Sequence, residues 1–143
     1  LILHILSQEI RTTPEKVYEA LTTNTGLEGW WVRKATGEHK EKSELEFSFG
    51  NYPGMRVEIE TLEEHKKVVW KGLNNPEDDE WMADTTITFD LAQEGDNTTI
   101  MRFSHSGWME ESEMLDNINY NWGRFMYSLK MYAETGKGHP VTD

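Results

Sequence analysis

HSGWMEESEMLDNINYNWGRFMYSLKMYAETG, residues 105–136, decides the fold. After His105-Ser106-Gly107-Trp108 and a short acidic linker comes one long amphipathic segment. Apolar residues recur at Leu115, Ile118, Trp122, Phe125, Met126, Leu129, Tyr132 and Ala133. Steps of three and four residues place them on one stripe of an α-helix. The spacing predicts a single helix from about Met114 to Glu134, stopped by Thr135-Gly136. Most of the preceding chain has the period of β-strands. A lone helix after a strand-rich stretch needs a surface to lie on, and a curved antiparallel sheet supplies one.

Working back from the helix, the strands alternate. Thr98 to about Ser106 forms the last strand, entered through the hairpin signal Gly95-Asp96-Asn97. A long strand is expected from about Trp81 to Leu91, with Trp81, Ala83, Ile87, Phe89 and Leu91 on one face. A polar loop, Asn74–Glu80, precedes it, and Val68–Gly72 is a short strand carrying Trp70. Met55, Val57 and Ile59 alternate with Arg56, Glu58 and Glu60; Leu45, Phe47 and Phe49 alternate with Glu44, Glu46 and Ser48. Between these two strands Gly50-Asn51-Tyr52-Pro53-Gly54 reads as a turn. Near the start, Leu3–Arg11 is a strand, and Thr13-Pro14-Glu15 is a helix start of N-cap hydroxyl, Pro and first-turn acid. Val17, Tyr18, Ala20 and Leu21 form its buried side. Gly26 and Gly29 interrupt that helix, and a second brief helical turn is expected before Trp30-Trp31. The order is β, α, short α, five or six strands, long α. No repeat or linker divides it, so residues 1–143 read as one domain.

Composition narrows the function. A formal net charge of −12 over 143 residues opposes nucleic acid and anionic membrane surfaces as partners. There is no cysteine, hence no disulfide framework and no thiol nucleophile, which is compatible with a reducing cytoplasm. No apolar run approaches the roughly 20 residues of a membrane span. The apolar opening Leu1–Leu6 lacks the basic lead and small-residue cleavage site of a signal peptide, and the missing initial Met reads as a processed or an incomplete start.

Catalytic signatures are sparse. The five histidines His4, His39, His65, His105 and His139 have no metal-ligand spacing, and no metal or cofactor is expected. No nucleophile elbow or phosphate-binding loop is present. His105 and Ser106, adjacent on a strand, point to opposite faces. The acidic runs Glu77–Glu80 and Glu110–Glu113 read as a solvated loop and a favourable helix start. His105 shares strand parity with Met101 and Phe103, so it is either a hydrogen-bonded structural residue or a polar contact at a cavity. The aromatic set is the more informative constellation. Trp30, Trp31, Phe47, Phe49, Trp70, Trp81, Phe89, Phe103, Trp122 and Phe125 fall on inward faces or on the first helices. They form either a filled core or, in part, the wall of a cavity with Arg102, Tyr120, Asn121 or His105 at its rim. For Arg102, of opposite parity to His105, the solvent face is the alternative to the rim.

The element order, with particular residues, resembles the START-like (SRPBCC) superfamily with its helix-grip fold. Within it the chain is most similar to the group named after activators of the ninety-kilodalton heat-shock chaperone's ATPase. The residues that carry the resemblance are Thr13–Thr22, Gly29-Trp30-Trp31, Leu45–Phe49, Val68-Val69-Trp70, Thr99–Trp108 and Trp122–Met126 leading to Gly136. Val32-Arg33 and Ser43-Glu44 depart from the group's common Gly-Pro and Gly at those places. The resemblance implies an α+β fold in which about seven antiparallel strands grip the C-terminal helix. It implies a cavity between sheet and helix for a hydrophobic or amphipathic small molecule. The cavity set is Trp30, Trp31, Phe47, Phe49, Trp70, Phe103, His105, Trp122 and Phe125. Two other functions stand beside binding: a co-chaperone-like interaction module, and a cyclase- or hydrolase-like enzyme enclosing its substrate. By analogy with two-domain activators, a single copy of this domain is expected to stimulate a chaperone weakly. The oligomeric state is open.

Overall fold

The computed structural model describes residues 2–50, 52–73, 84–108 and 113–141. Among the described residues, seven strands and three helices follow one another as β1 (Ile2–Ile10), α1 (Pro14–Thr22), α2 (Asn24–Trp30), β2 (Lys34–Thr36), β3 (Glu44–Phe49), β4 (Tyr52–Glu63), β5 (Lys67–Gly72), β6 (Thr86–Gln93), β7 (Thr99–Trp108) and α3 (Glu113–Thr135). The strands form one antiparallel sheet ordered β1-β7-β6-β5-β4-β3-β2. Strands β2 to β7 are therefore a meander, and β1 closes beside β7. This is the helix-grip architecture, with α3 as the cover of the concave face.

Each local element has a visible cause. The Thr13 hydroxyl accepts from Lys16 N at 3.3 Å and Pro14 opens α1. Thr23 ends α1 and caps α2, its hydroxyl accepting from Gly26 N at 2.9 Å. Gly26 and Gly29 lie inside α2 rather than before it. Both are close-approach positions: a Cβ at Gly26 would stand 2.8 Å from Ala20 Cα, and one at Gly29 would run into the Tyr132 ring. The missing side chains thus let α2 pack against α1 and α3. At the far end of α3, Gly136 adopts φ 85° and donates to Tyr132 O at 2.8 Å, a left-handed helix stop.

Alternation holds along the sheet. Leu45 and Phe47, Met55, Val57 and Ile59, Val68 and Trp70, Ile87, Phe89 and Leu91, and Met101, Phe103 and His105 are buried, while Glu44, Glu46 and Arg102 are exposed. Opposite one another on the outer face stand Glu63, Lys67, Asp90, Arg102 and Ser7, one per strand from β4 to β1. Lys67 and Asp90 form an ion pair at 3.6 Å. Arg56 pairs with Glu44 on the neighbouring strand.

Three boundaries differ from expectation. β2 is a three-residue edge strand with too little pattern to read. β4 begins at Tyr52, inside the stretch expected to be a turn. β6 begins at Thr86, because Asp84 sits in a turn at φ 63°, which ends strand alternation there. The loop Asn74–Glu80, Trp81, Ala83 and the acidic residues Glu110–Ser112 lie outside the described residues, as do the side chains of Leu115 and Ile118.

Candidate functional site

The two Trp residues at the end of α2 set the centre of the molecule. Trp31 N continues the helix to Leu27 O at 2.9 Å, and Trp31 O accepts from Val141 N at 2.9 Å in the C-terminal tail. Held at both backbone ends, the Trp31 ring meets six others. It stacks on Trp30 (5.4 Å, 13°) and on Trp70 (5.9 Å, 5°). It also touches Phe47 at 4.9 Å, Trp122 at 5.5 Å, Phe49 at 5.7 Å and Phe125 at 6.0 Å. Phe103 joins through Trp122 at 4.6 Å, and His105 through Trp122 at 5.7 Å. All nine residues expected around a cavity are thus brought into one connected cluster between the sheet and α3. Phe89, on the inward parity of β6, belongs to it as well, bridging Trp70 and Phe103 at 5.2 and 5.4 Å.

Burial within the cluster is graded. Trp30, Trp31, Trp70 and Phe103 are closed off, whereas Phe49 and Phe125 are half-buried and form its rim. Two residues considered for the rim are elsewhere. Arg102 is exposed on the outer sheet face, and Tyr120 is exposed on the outer side of α3.

The polar chemistry of the cluster lies in its indole nitrogens and one imidazole. Trp30 Nε1 donates to Ala20 O at 2.9 Å. Trp122 Nε1 donates to His105 Nδ1 at 2.9 Å, and His105 Nε2 lies 2.9 Å from Thr85 Oγ1. An indole nitrogen can only donate, so Nδ1 is the acceptor and the proton of neutral His105 sits on Nε2, aimed at Thr85. No sequence pattern links Thr85 to His105; cross-strand packing of β6 against β7 does. By contrast, Trp31 Nε1 and Trp70 Nε1 are buried without a hydrogen-bond partner among the described residues. A buried donor left unpaired costs about 1–3 kcal/mol.

Away from the cluster, an open cleft of about 790 Å³ lies between the start of α1, the β4–β5 turn and the adjoining ends of β6 and β7. Glu15, Glu63, Glu64, His65, Lys66, Lys67, Asp90 and Arg102 line it, so both charge signs are interleaved. It shares no residue with the aromatic cluster. Tyr18 packs edge-on against His65 at 5.5 Å nearby; burial first, then the carboxylates of Glu64 and Glu41, pushes its phenol up. His39, bonded to Asn24 Oδ1 at 2.7 Å, is held below the usual imidazole range by burial. Among the described residues no three His, Asp or Glu side chains gather as metal ligands. Nor is any described helix long and apolar enough to cross a membrane.

Comparison with known proteins gives three results. The model of the family described as "Activator of Hsp90 ATPase homolog 1-like protein" matches residues 11–134. Among solved structures, the Aha1 dimer from Colwellia psychrerythraea is 34% identical, with a TM-score of 0.86 over 96% of this chain and 100% of that one. A Mesorhizobium loti protein superposes with a TM-score of 0.80 at 19% identity, over 91% of this chain and 95% of that one. CalU16 from Micromonospora echinospora does so at 0.72 and 18%, over 91% and 73%. The last two likenesses are of fold alone. No curated protein matches the chain.

Proposed function

The chain belongs to the family of proteins like homolog 1 of the activator of Hsp90 ATPase, and from that premise we propose that it binds a hydrophobic or amphipathic small molecule between its sheet and α3. The observation that carries this is the aromatic cluster centred on Trp31, closed at its base and bounded by the half-buried Phe49 and Phe125. Clustered aromatic walls with few polar groups are the usual lining of small-molecule sites. Movement of the two rim rings would open the space without breaking a strand.

Binding rather than catalysis is favoured by His105. It is the one titratable side chain of the set, and both its ring nitrogens are engaged by Trp122 and Thr85. General acid–base work needs such a nitrogen within reach of substrate. Stimulation of a chaperone ATPase is the weaker reading, since a charge of −12 opposes docking on another acidic surface at moderate salt.

Native mass spectrometry of freshly purified protein tests the proposal, together with titration by an environment-sensitive apolar dye. A co-purified small molecule, or saturable dye emission with quenching of Trp emission, is expected. Bare protein with no saturable signal would leave the cluster as a filled core.

A further inference from the structure

We propose that the ligand is a neutral, largely apolar molecule whose carbonyl or equivalent uncharged acceptor oxygen bonds to the indole N–H of Trp31, Trp70 or both, an inference that rests on the cavity reading above. Both rings are closed to solvent, at 1% and 0% exposure, and both nitrogens lack a partner among the described residues. The other two indoles of the cluster donate to Ala20 O and to His105 Nδ1. The unmet donors are therefore particular to Trp31 and Trp70, not general to an aromatic core.

The chemistry of the missing partner follows from the donors and from what surrounds them. An indole N–H can only donate, so the partner must accept, and a carbonyl oxygen has two lone pairs to offer. An ammonium or guanidinium, with donors alone, cannot serve. A carboxylate accepts well, but it would be stripped of water and need a counter-charge. The rings touching the pair are Trp30, Phe47, Phe49, Phe89, Trp122 and Phe125, and none is cationic. An uncharged oxygen satisfies the donors without that cost. The stacking geometry further restricts the pose. Trp31 and Trp70 are parallel within 5° at 5.9 Å between centroids. A ring inserted between two others needs about 7 Å, twice a van der Waals spacing of about 3.5 Å. The ligand thus meets the edges of these rings, where the N–H groups sit, rather than sliding between their faces.

The test uses two matched probes: an acyl-dimethylaminonaphthalene dye and its alkyl analogue without the carbonyl. The ketone is expected to bind about tenfold more tightly, as one or two net hydrogen bonds allow. In isotope-edited NMR it should move the indole N–H signals of Trp31 and Trp70, while the alkyl dye leaves them in place. Trp31→Phe and Trp70→Phe should each bring the ketone's affinity towards that of the alkyl dye. If either variant fails to fold, the wild-type indole signals decide. Equal affinity for the two dyes would leave the apolar cavity standing and overturn the acceptor. Indole signals that stay still under ketone and exchange with a held water would overturn it too, with water as the partner. Failure of both dyes to bind would remove the cavity reading and this inference with it.

Discussion

The two halves of the described face of α3, residues 120–135, make different contacts with the rest of the molecule. From Trp122 to Met126 the helix contributes aromatic and thioether surface to the cluster beneath it. From Ser128 to Glu134 it adds to the buried Leu129 a set of side-chain hydrogen bonds. Ser128 Oγ donates to Trp30 O at 2.6 Å and accepts from His139 N at 2.7 Å. Lys130 Nζ reaches Glu9 O at 2.7 Å, and Glu134 accepts from Arg11 N at 2.7 Å and from Lys130 at 2.6 Å. The bonds from Lys130 to Glu9 and from Arg11 to Glu134 fall on β1 and the residue after it, at one edge of the sheet, where unpaired strand groups would otherwise invite another chain. The C-terminal half is thus a satisfied clamp. The N-terminal half covers a region where two indole donors find no partner among the described residues. A fold anchored at one end of its helix can tolerate adjustment at the other, and adjustment is what a ligand site needs.

Removing Trp122 should break the contrast most severely. Trp122→Ala deletes a ring 3% exposed together with its hydrogen bond to His105 Nδ1. A loss of about 3–5 kcal/mol is expected by equilibrium denaturation. A loss below about 1 kcal/mol would mean that the cluster collapses readily around the gap, as an adaptable wall does. Ser128→Ala attacks the clamp instead. It strips the Trp30 carbonyl and the His139 amide of their partner, and about 1–3 kcal/mol should be lost. Dye binding in the cluster should survive in the folded variant; its disappearance would show that the halves are not separable.

The smallest effect is expected at Glu134. Burial pushes its carboxyl up, but the Arg11 amide, the Lys130 hydrogen bond and the nearby positive charges outweigh that and hold it below its ordinary 4.5. Folding therefore favours the ionised form. Its contribution is present above the unfolded value and is lost as pH falls through the folded one. Glu134→Gln should cost about 0–1 kcal/mol at neutral pH, as partly exposed ion pairs do. The difference from wild type in thermal unfolding should shrink to nothing on acidification. A difference that stays constant with pH would assign the clamp to geometry rather than charge.

Much of this was legible without coordinates. The three-to-four-residue spacing of Trp122, Phe125, Met126 and Leu129 requires a helix with one buried face, and the alternation around Phe47, Val57, Phe89 and Phe103 requires strands with one buried face. Those periods are properties of backbone geometry, so sequence alone determines them. It also determined that Phe47, Trp70, Phe89 and Phe103 would converge, because inward parity on neighbouring strands can point only to one side of a sheet. Other features depend on partners distant along the chain. Gly26 and Gly29 looked like helix breakers, and only the approach of Ala20 and Tyr132 shows why a side chain is excluded there. Lys34–Thr36 is a strand only because Phe47 and its neighbours on β3 pair with it. The tertiary structure alone decided the pairing of His105 with Thr85 and Trp122, and left the Trp31 and Trp70 indoles of the cluster without a partner among the described residues, because a hydrogen bond depends on which atoms packing brings within 3 Å, not on the residue's own position in a period.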